Sequence, residues 1–139
     1  MELTEHNIVN LLKTFSKNEI ERISKFISSP YFNTNKNIST FFSEMNKYYP
    51  SFENKNFTKE KIYLAVFPKK PYNDSNFRWI ISEISKLIEK YLIQKTFEDD
   101  LLIKDNYLFK EHLNNQRKDL SERSLKAAEK NLSEFKHKD

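Results

Sequence analysis

The chain has 139 residues, 24 basic against 20 acidic side chains, and neither glycine nor cysteine. Phosphate-binding loops and dinucleotide-binding turns are not expected, because their backbone runs where a Cβ atom would obstruct it. Without cysteine there is no disulfide framework, no thiolate zinc site and no cysteine nucleophile.

The length fits one compact domain, and its start lacks the basic and apolar runs of a signal peptide. No apolar stretch approaches the ~20 residues that span a membrane. We therefore expect a cytoplasmic protein without membrane contact. The positive excess lies in residues 1–70, which carry 11 basic and 7 acidic groups. Such a patch could face an acidic partner.

Helical spacing of apolar residues marks the first two helices. The first is predicted over about residues 4–14, with Thr4 as its N-cap. The second begins at a capping box, in which the Ser16 side chain accepts from the Glu19 amide while the Glu19 side chain reaches back.

Prolines and a threonine mark the next boundaries. Pro30 ends the second helix near Ser28, because the residue before a proline avoids helical geometry. A third apolar stripe begins at Ile38 and ends before Pro50. Thr58 is the predicted N-cap of a short fourth helix.

The second half of the chain begins with its strongest helical run. This run starts near Asp74, and Trp79 widens its apolar face. Thr96-Phe97-Glu98-Asp99 resembles another capping box, so we favour a break there; one helix through to about Leu113 is the alternative. The last helix, about 117–136, is mostly charged, and its thin apolar stripe must pack on the preceding helix, on a second copy or on further chain.

These elements predict an all-α fold, either an irregular multi-helix bundle or a short helical-repeat array of about six to seven helices. The whole chain forms one helical domain, with a core bundle over about 1–95. Residues 96–139 form a C-terminal helical hairpin that packs on the bundle or on a partner. Because asparagine tolerates the left-handed conformation, we expect helices to end on residues such as Asn33, Asn54 and Asn114.

One segment has a distinctive pattern, FISSPYFN at residues 26–33, followed by Asn35-Lys36-Asn37. It comes after LLKTFSKNE at residues 11–19. Together these segments resemble a group of large, functionally uncharacterised bacterial helical proteins, over about residues 10–95. The resemblance implies an all-helical fold and brings no known activity or catalytic residue.

A second resemblance involves the short helix that ends in Val66-Phe67-Pro68 and the longer helix that follows it. Residues 57–92 resemble the helix–turn–helix of winged-helix bacterial regulators, although their connector at 68–74 is longer than that of the motif. The resemblance implies DNA binding through phosphate contacts. The candidate phosphate-binding residues are Lys59, Lys61, Lys69, Lys70 and Arg78.

Two places are candidates for binding a partner protein. Tyr31 and Phe32 follow Pro30, and they form either a turn pinned by two buried rings or an exposed aromatic anchor. Either interpretation predicts that both rings pack tightly somewhere, within the chain or against a partner. The last helix offers a second set of candidate residues: Leu125, Leu132 and Phe135.

No residue pattern indicates catalysis. His6, His112 and His137 are far apart and lack a paired metal-ligand spacing. We therefore expect no enzyme activity, no cofactor or metal, and no small-molecule substrate. The leading hypothesis is a non-enzymatic helical scaffold that binds another protein or itself. The alternative is a DNA-binding regulator that uses residues 57–92.

Overall fold

The computed structural model describes the backbone of residues 2–136 and the side chains of residues 2–134. This part of the chain contains seven α-helices and no β-strand, which confirms the all-α prediction. A short 3-10 turn, Leu3–Glu5, precedes the first α-helix. The helices are α1 (Asn7–Lys13), α2 (Lys17–Ser28), α3 (Lys36–Asn46), α4 (Lys59–Val66), α5 (Asp74–Asp99), α6 (Leu101–Asn114) and α7 (Lys118–Lys136).

Local side-chain chemistry fixes two helix starts as predicted. Ser16 Oγ accepts a hydrogen bond from the amide of Glu19 at 3.2 Å and caps α2. Thr58 Oγ1 accepts from the amide of Lys61 at 3.2 Å and caps α4. Each bond satisfies an amide that has no partner within its helix.

The end of α2 is also where the sequence places it. The helix ends at Ser28, and the next residue, Ser29, is extended with φ −72° and ψ 123°. Ser29 directly precedes Pro30, whose ring excludes helical geometry from that residue.

The start of α1 differs from the prediction, because Thr4 is not its cap. His6 is extended, with φ −69° and ψ 145°, and separates the 3-10 turn from α1. Its Nδ1 accepts from the amide of Ile8 at 3.2 Å. The ring nitrogen reaches the first free amide as a serine oxygen would, and the apolar spacing alone does not locate such a cap.

The break between α5 and α6 exists, but it lies four residues beyond Thr96. α5 continues to Asp99, and Asp100 adopts an extended backbone with φ −101° and ψ 92°. Asp100 Oδ1 accepts from the amide of Ile103 at 3.1 Å and caps α6. Thr96 fits within a helix, and an acidic run offers several capping side chains, so the favoured position at Thr96 was wrong.

The left-handed positions also differ from the prediction. Among the described residues, Phe52 and Gln116 have positive φ, each of 57°, whereas Asn33, Asn54 and Asn114 do not. α6 does end at Asn114, as predicted, but without the left-handed conformation there. A left-handed phenylalanine costs on the order of 1–3 kcal/mol. Complete burial of the Phe52 ring offsets that cost.

Contacts divide the chain into two compact units, the first ending at Tyr91 and the second beginning at Leu92, within α5. Unit 1 is built around an aromatic and aliphatic core, in which the rings of Phe41 and Phe77 are 5.7 Å apart. Here α5 is joined to α4 by a 2.9 Å hydrogen bond from Asn76 Nδ2 to the Tyr63 hydroxyl. Other fully buried core side chains are Phe42, Phe52, Leu12, Ile23, Met45, Ile80 and Ile84.

In unit 2, α6 and α7 pack side by side as an antiparallel hairpin. Asn115 and the left-handed Gln116 form the turn, which the amide of Arg117 closes by donating to the His112 carbonyl at 2.8 Å. A hydrogen bond of 2.6 Å from Asn131 Nδ2 to Asp105 Oδ2 joins the two helices.

Candidate interaction surfaces

The aromatic turn after α2 places its two rings differently. The Phe32 ring is half-buried and stacks on Phe26, with centroids 4.1 Å apart. Tyr31 is 88% exposed and touches Phe32 edge-on at 4.9 Å. The interpretation of a turn pinned by two buried rings is therefore wrong for Tyr31, and the exposed-anchor interpretation, in which Tyr31 packs against a partner, stays a prediction.

A single asparagine holds this turn. Asn33 Nδ2 donates to the carbonyl oxygens of Ile27 at 2.9 Å and Asn35 at 3.1 Å, and to Ser39 Oγ at 3.0 Å. Its Oδ1 accepts from the amide of Asn35 at 3.0 Å. Ser39 Oγ also donates to the Ile27 carbonyl at 3.2 Å, so the end of α2 is tied to the start of α3.

The sequence held a signal for this arrangement that we missed. Asn33, Asn35 and Asn37 are spaced by two, the spacing of successive Asx turns. Asn35 Oδ1 indeed accepts from the Asn37 amide at 3.0 Å and caps α3. The segment that carries the first resemblance, residues 26–37, is therefore held by hydrogen bonds of its asparagine side chains. These bonds account for the asparagines without a catalytic role.

The seam between α6 and α7 contains small and polar side chains. On α7, Ser121 and Ser124 are buried, and Ala128 and Asn131 are half-buried. Their spacing of three and four residues puts them on one face of the helix. On α6 the half-buried side chains are Lys104, Asp105, Phe109 and His112. The leucines of α6 and α7 are all more exposed than these seam side chains.

Unit 2 buries none of its large hydrophobic side chains between Leu92 and Glu134. The candidate residues Leu125 and Leu132 are 45% and 41% exposed, and the Phe135 side chain lies outside the described residues. The other exposed large hydrophobic side chains of unit 2 are Ile93, Leu101, Leu102, Ile103, Tyr107, Leu108, Leu113 and Leu120.

Helical rotation sorts these side chains onto two sides of the hairpin. At 3.6 residues per turn, Leu125 and Leu132 lie on one side of the Ser121–Ser124 line and Leu120 lies on the other. α6 runs antiparallel to α7, and the same rotation places Leu101 and Leu108 on one side of it and Leu102, Phe109 and Leu113 on the other. We define the leucine face as the side that collects Leu102, Phe109, Leu113, Leu125 and Leu132.

Two grooves lie where α5 meets α6. One, of about 400 Å³, is lined by Leu92, Ile93, Thr96, Phe97, Asp100 and Ile103. The other, of about 510 Å³, is lined by Thr96, Asp99, Asp100, Leu101, Leu102, Asn131 and Glu134. Thr96 and Asp100 are the polar residues of the first groove, whereas five of the seven residues that line the second are polar.

The candidate phosphate-binding lysines of α4 have partners within the chain. Lys59 Nζ lies 5.6 Å from the centre of the Phe77 ring, and Lys61 Nζ donates to Asn56 Oδ1 at 3.1 Å. A phosphate contact would compete with these interactions. Lys61 remains exposed, and Lys59 is half-buried.

The other three candidate cations lie in the connector and on α5. Lys69 is exposed, and Lys70 Nζ lies 5.6 Å from the centre of the Phe67 ring. Arg78 Nε forms an ion pair of 3.0 Å with Asp74 Oδ2, one turn earlier on the helix. DNA binding through these residues stays a prediction.

A groove of about 500 Å³ adjoins the start of α4, beside the basic residues. Lys55 and Lys59 line it, but so do Glu2 and Glu60. Because both signs of charge face the groove, its electrostatics do not select an anion.

His6, His112 and Tyr72 contact neighbouring groups of the chain. Burial, and then the charge of Lys59, lower the pKa of His6 below its ordinary value. His112 Nδ1 lies 3.4 Å from Arg117 Nη1, and His137 is outside the described residues. Burial, followed by a hydrogen bond to Asp74, raises the pKa of Tyr72.

The carboxylate of Glu19 likewise contacts neighbouring groups of the chain. The buried Glu19 accepts a hydrogen bond from the Tyr91 hydroxyl at 2.9 Å, and Arg22 lies 3.8 Å away. Among residues 2–134, no three His, Asp or Glu side chains are grouped so that they could hold a metal ion.

Comparison of the chain with protein-family models, curated proteins and solved structures found no significant match. The two sequence resemblances therefore stay predictions. Within the described range, every helix is too short or too polar to cross a membrane.

Proposed function

We propose that this chain is a non-enzymatic protein-interaction module, in which unit 1 is the folded body and unit 2 is the binding element. The observation that supports this most is the uneven burial of hydrophobic side chains. Among residues 2–134, every buried hydrophobic side chain lies at or before Tyr91, while ten large ones after it are exposed.

Physical chemistry explains why this distribution favours binding. Helices in proteins are stabilised mainly by packing of an apolar face, and a hairpin joined by serines gains little from its own seam. Unit 1 exposes Tyr31, Leu64 and Trp79 far apart in sequence, and such isolated residues are normal on a surface. A dense apolar surface is typical of a binding site. A cytoplasmic location and a bacterial source are parts of the proposal that come from the sequence.

A photo-cross-linking amino acid at Leu125 or Leu132 tests the proposal in the native cells. We expect covalent protein adducts from both positions. Leu64, exposed on α4 in unit 1, is the matched control and should yield few or none. An absence of adducts at both unit 2 positions, or the same adducts from Leu64, would overturn the proposal.

A further inference from the structure

We infer that the leucine face is covered by the same face of a second copy of this chain, so that two α6–α7 hairpins form a four-helix bundle. This inference rests on the proposed function and names its partner. Three features of unit 2 lead to it: its charge balance, its seven-residue apolar spacing and a seam that buries no leucine.

The charge balance of unit 2 fits a partner identical to itself. Residues 92–139 contain ten basic and ten acidic side chains, whereas residues 1–91 contain 14 basic and ten acidic. A two-fold interface places a patch against itself, so a surface of one sign would repel its own copy. A nucleic acid would instead favour a unit with an excess of positive charge, which residues 92–139 do not have.

The spacing of the apolar side chains suits nearly parallel helix packing. Leu125 and Leu132 are seven residues apart on α7, and Leu102 and Phe109 are seven apart on α6. Side chains at this spacing return to the same helix face, which is how helices of four-helix bundles meet at about 20°. With 14 and 19 residues, α6 and α7 are about 21 and 28 Å long at 1.5 Å per residue.

The seam of each hairpin explains why the second copy is needed. Ser121, Ser124 and the Asn131–Asp105 hydrogen bond join the two helices without burying a leucine. Pairing two leucine faces would place ten apolar side chains, five from each copy, between the hairpins as the core of one bundle. Five side chains a copy are fewer than the roughly 20–30 residues a side of a standard interface, so we expect the buried area to fall at the low end, under roughly 1,200 Å². The dimer should therefore dissociate reversibly in the micromolar range.

Sedimentation of the full chain from about 1 to about 500 µM measures this equilibrium. We expect the mass to rise from 16.8 kDa towards twice that value. Leu125→Glu should weaken dimerisation by about tenfold or more. Leu120→Glu is the matched control, because Leu120 is 43% exposed on the opposite side of α7, and it should change the dissociation constant by less than about threefold.

A mixing experiment guards against a variant that merely unfolds the hairpin. Leu125→Glu and Leu125→Lys copies should each be monomeric, and their mixture should associate, because opposite charges then meet across the two-fold axis. A mixture that stays monomeric would overturn the inference. So would a dimer that Leu120→Glu disrupts and Leu125→Glu leaves intact.

The two proposals fail in different ways. A wild-type chain that stays monomeric at about 500 µM, while Leu125 cross-links to a different protein, overturns the second copy and supports the interaction module. A monomer that yields no cross-link at Leu125 or Leu132 overturns both.

Discussion

Replacing Asn33 with Asp should destabilise unit 1, although the two side chains have nearly the same shape. The amide group donates to the Ile27 carbonyl at 2.9 Å, the Asn35 carbonyl at 3.1 Å and Ser39 Oγ at 3.0 Å. A carboxylate cannot donate, and its negative oxygen would face two carbonyl oxygens. Each of the three lost bonds removes about 0.5–1.5 kcal/mol, so the free energy of unfolding should fall by about 1.5–4.5 kcal/mol.

Asn37→Asp is the matched control, because it makes the same chemical change four residues later. Asn37 is exposed in the first turn of α3, where a negative charge should stabilise the helix by about 0.3–1 kcal/mol. Urea unfolding followed by the fluorescence of Trp79, the one tryptophan of the chain, measures unit 1. The reasoning is refuted if the free energy of unfolding of Asn33→Asp lies within about 0.5 kcal/mol of the wild-type value.

Three further predictions follow from the contacts of unit 1. Tyr91→Phe removes the hydroxyl that donates to the buried Glu19 at 2.9 Å, so urea unfolding should show a loss of about 1.5–3 kcal/mol, and no loss would contradict that role. Because the pKa of His6 lies below its ordinary 6.5 in the folded chain, its contribution to stability is present above pH 6.5 and is lost as the pH falls through the folded value. A protonated Nδ1 also cannot accept from the Ile8 amide, so His6→Asn, a cap that does not titrate, should flatten the pH dependence of the unfolding midpoint; an unchanged slope would argue against this cap. Titration of mixed-sequence duplex DNA across a salt series tests the DNA-binding alternative, which requires affinity that falls steeply with salt; flat or undetectable binding at low salt would eliminate it.

Local chemistry explains which helix boundaries the sequence could predict. Ser16 and Thr58 cap their helices through their own side chains, and Pro30 restricts the residue before it. These effects act over three residues or fewer. At Thr96 the same logic fails, because Asp100, four residues later, is an equally good cap and is the one that α6 uses.

Side-chain orientation was less predictable, because it depends on what lies opposite each helix. Trp79 was expected to widen the apolar face of α5, but it is 48% exposed. The apolar pattern of α7 would place Leu125 in the seam, yet Ser121 and Ser124 occupy it. Small side chains allow close approach of the helices, and periodicity of hydrophobic residues does not report that preference.

The candidate surface was therefore predicted only in part. Leu125 and Leu132 were singled out on a thin stripe, and both are exposed. Leu102, Phe109 and Leu113, which complete the leucine face, were missed, because their position relative to α7 depends on the pairing of the two helices. Leu102 and Phe109 could have been found from their seven-residue spacing.

The most direct test of the central claim, that α6 and α7 are completed by association, is amide hydrogen exchange of the full chain at increasing protein concentration. We predict that amides of α6 and α7 exchange rapidly in dilute protein and become protected as concentration rises, while those of α2 and α3 do not change. Protection of α6 and α7 that equals that of α2 and α3 at every concentration would contradict the claim.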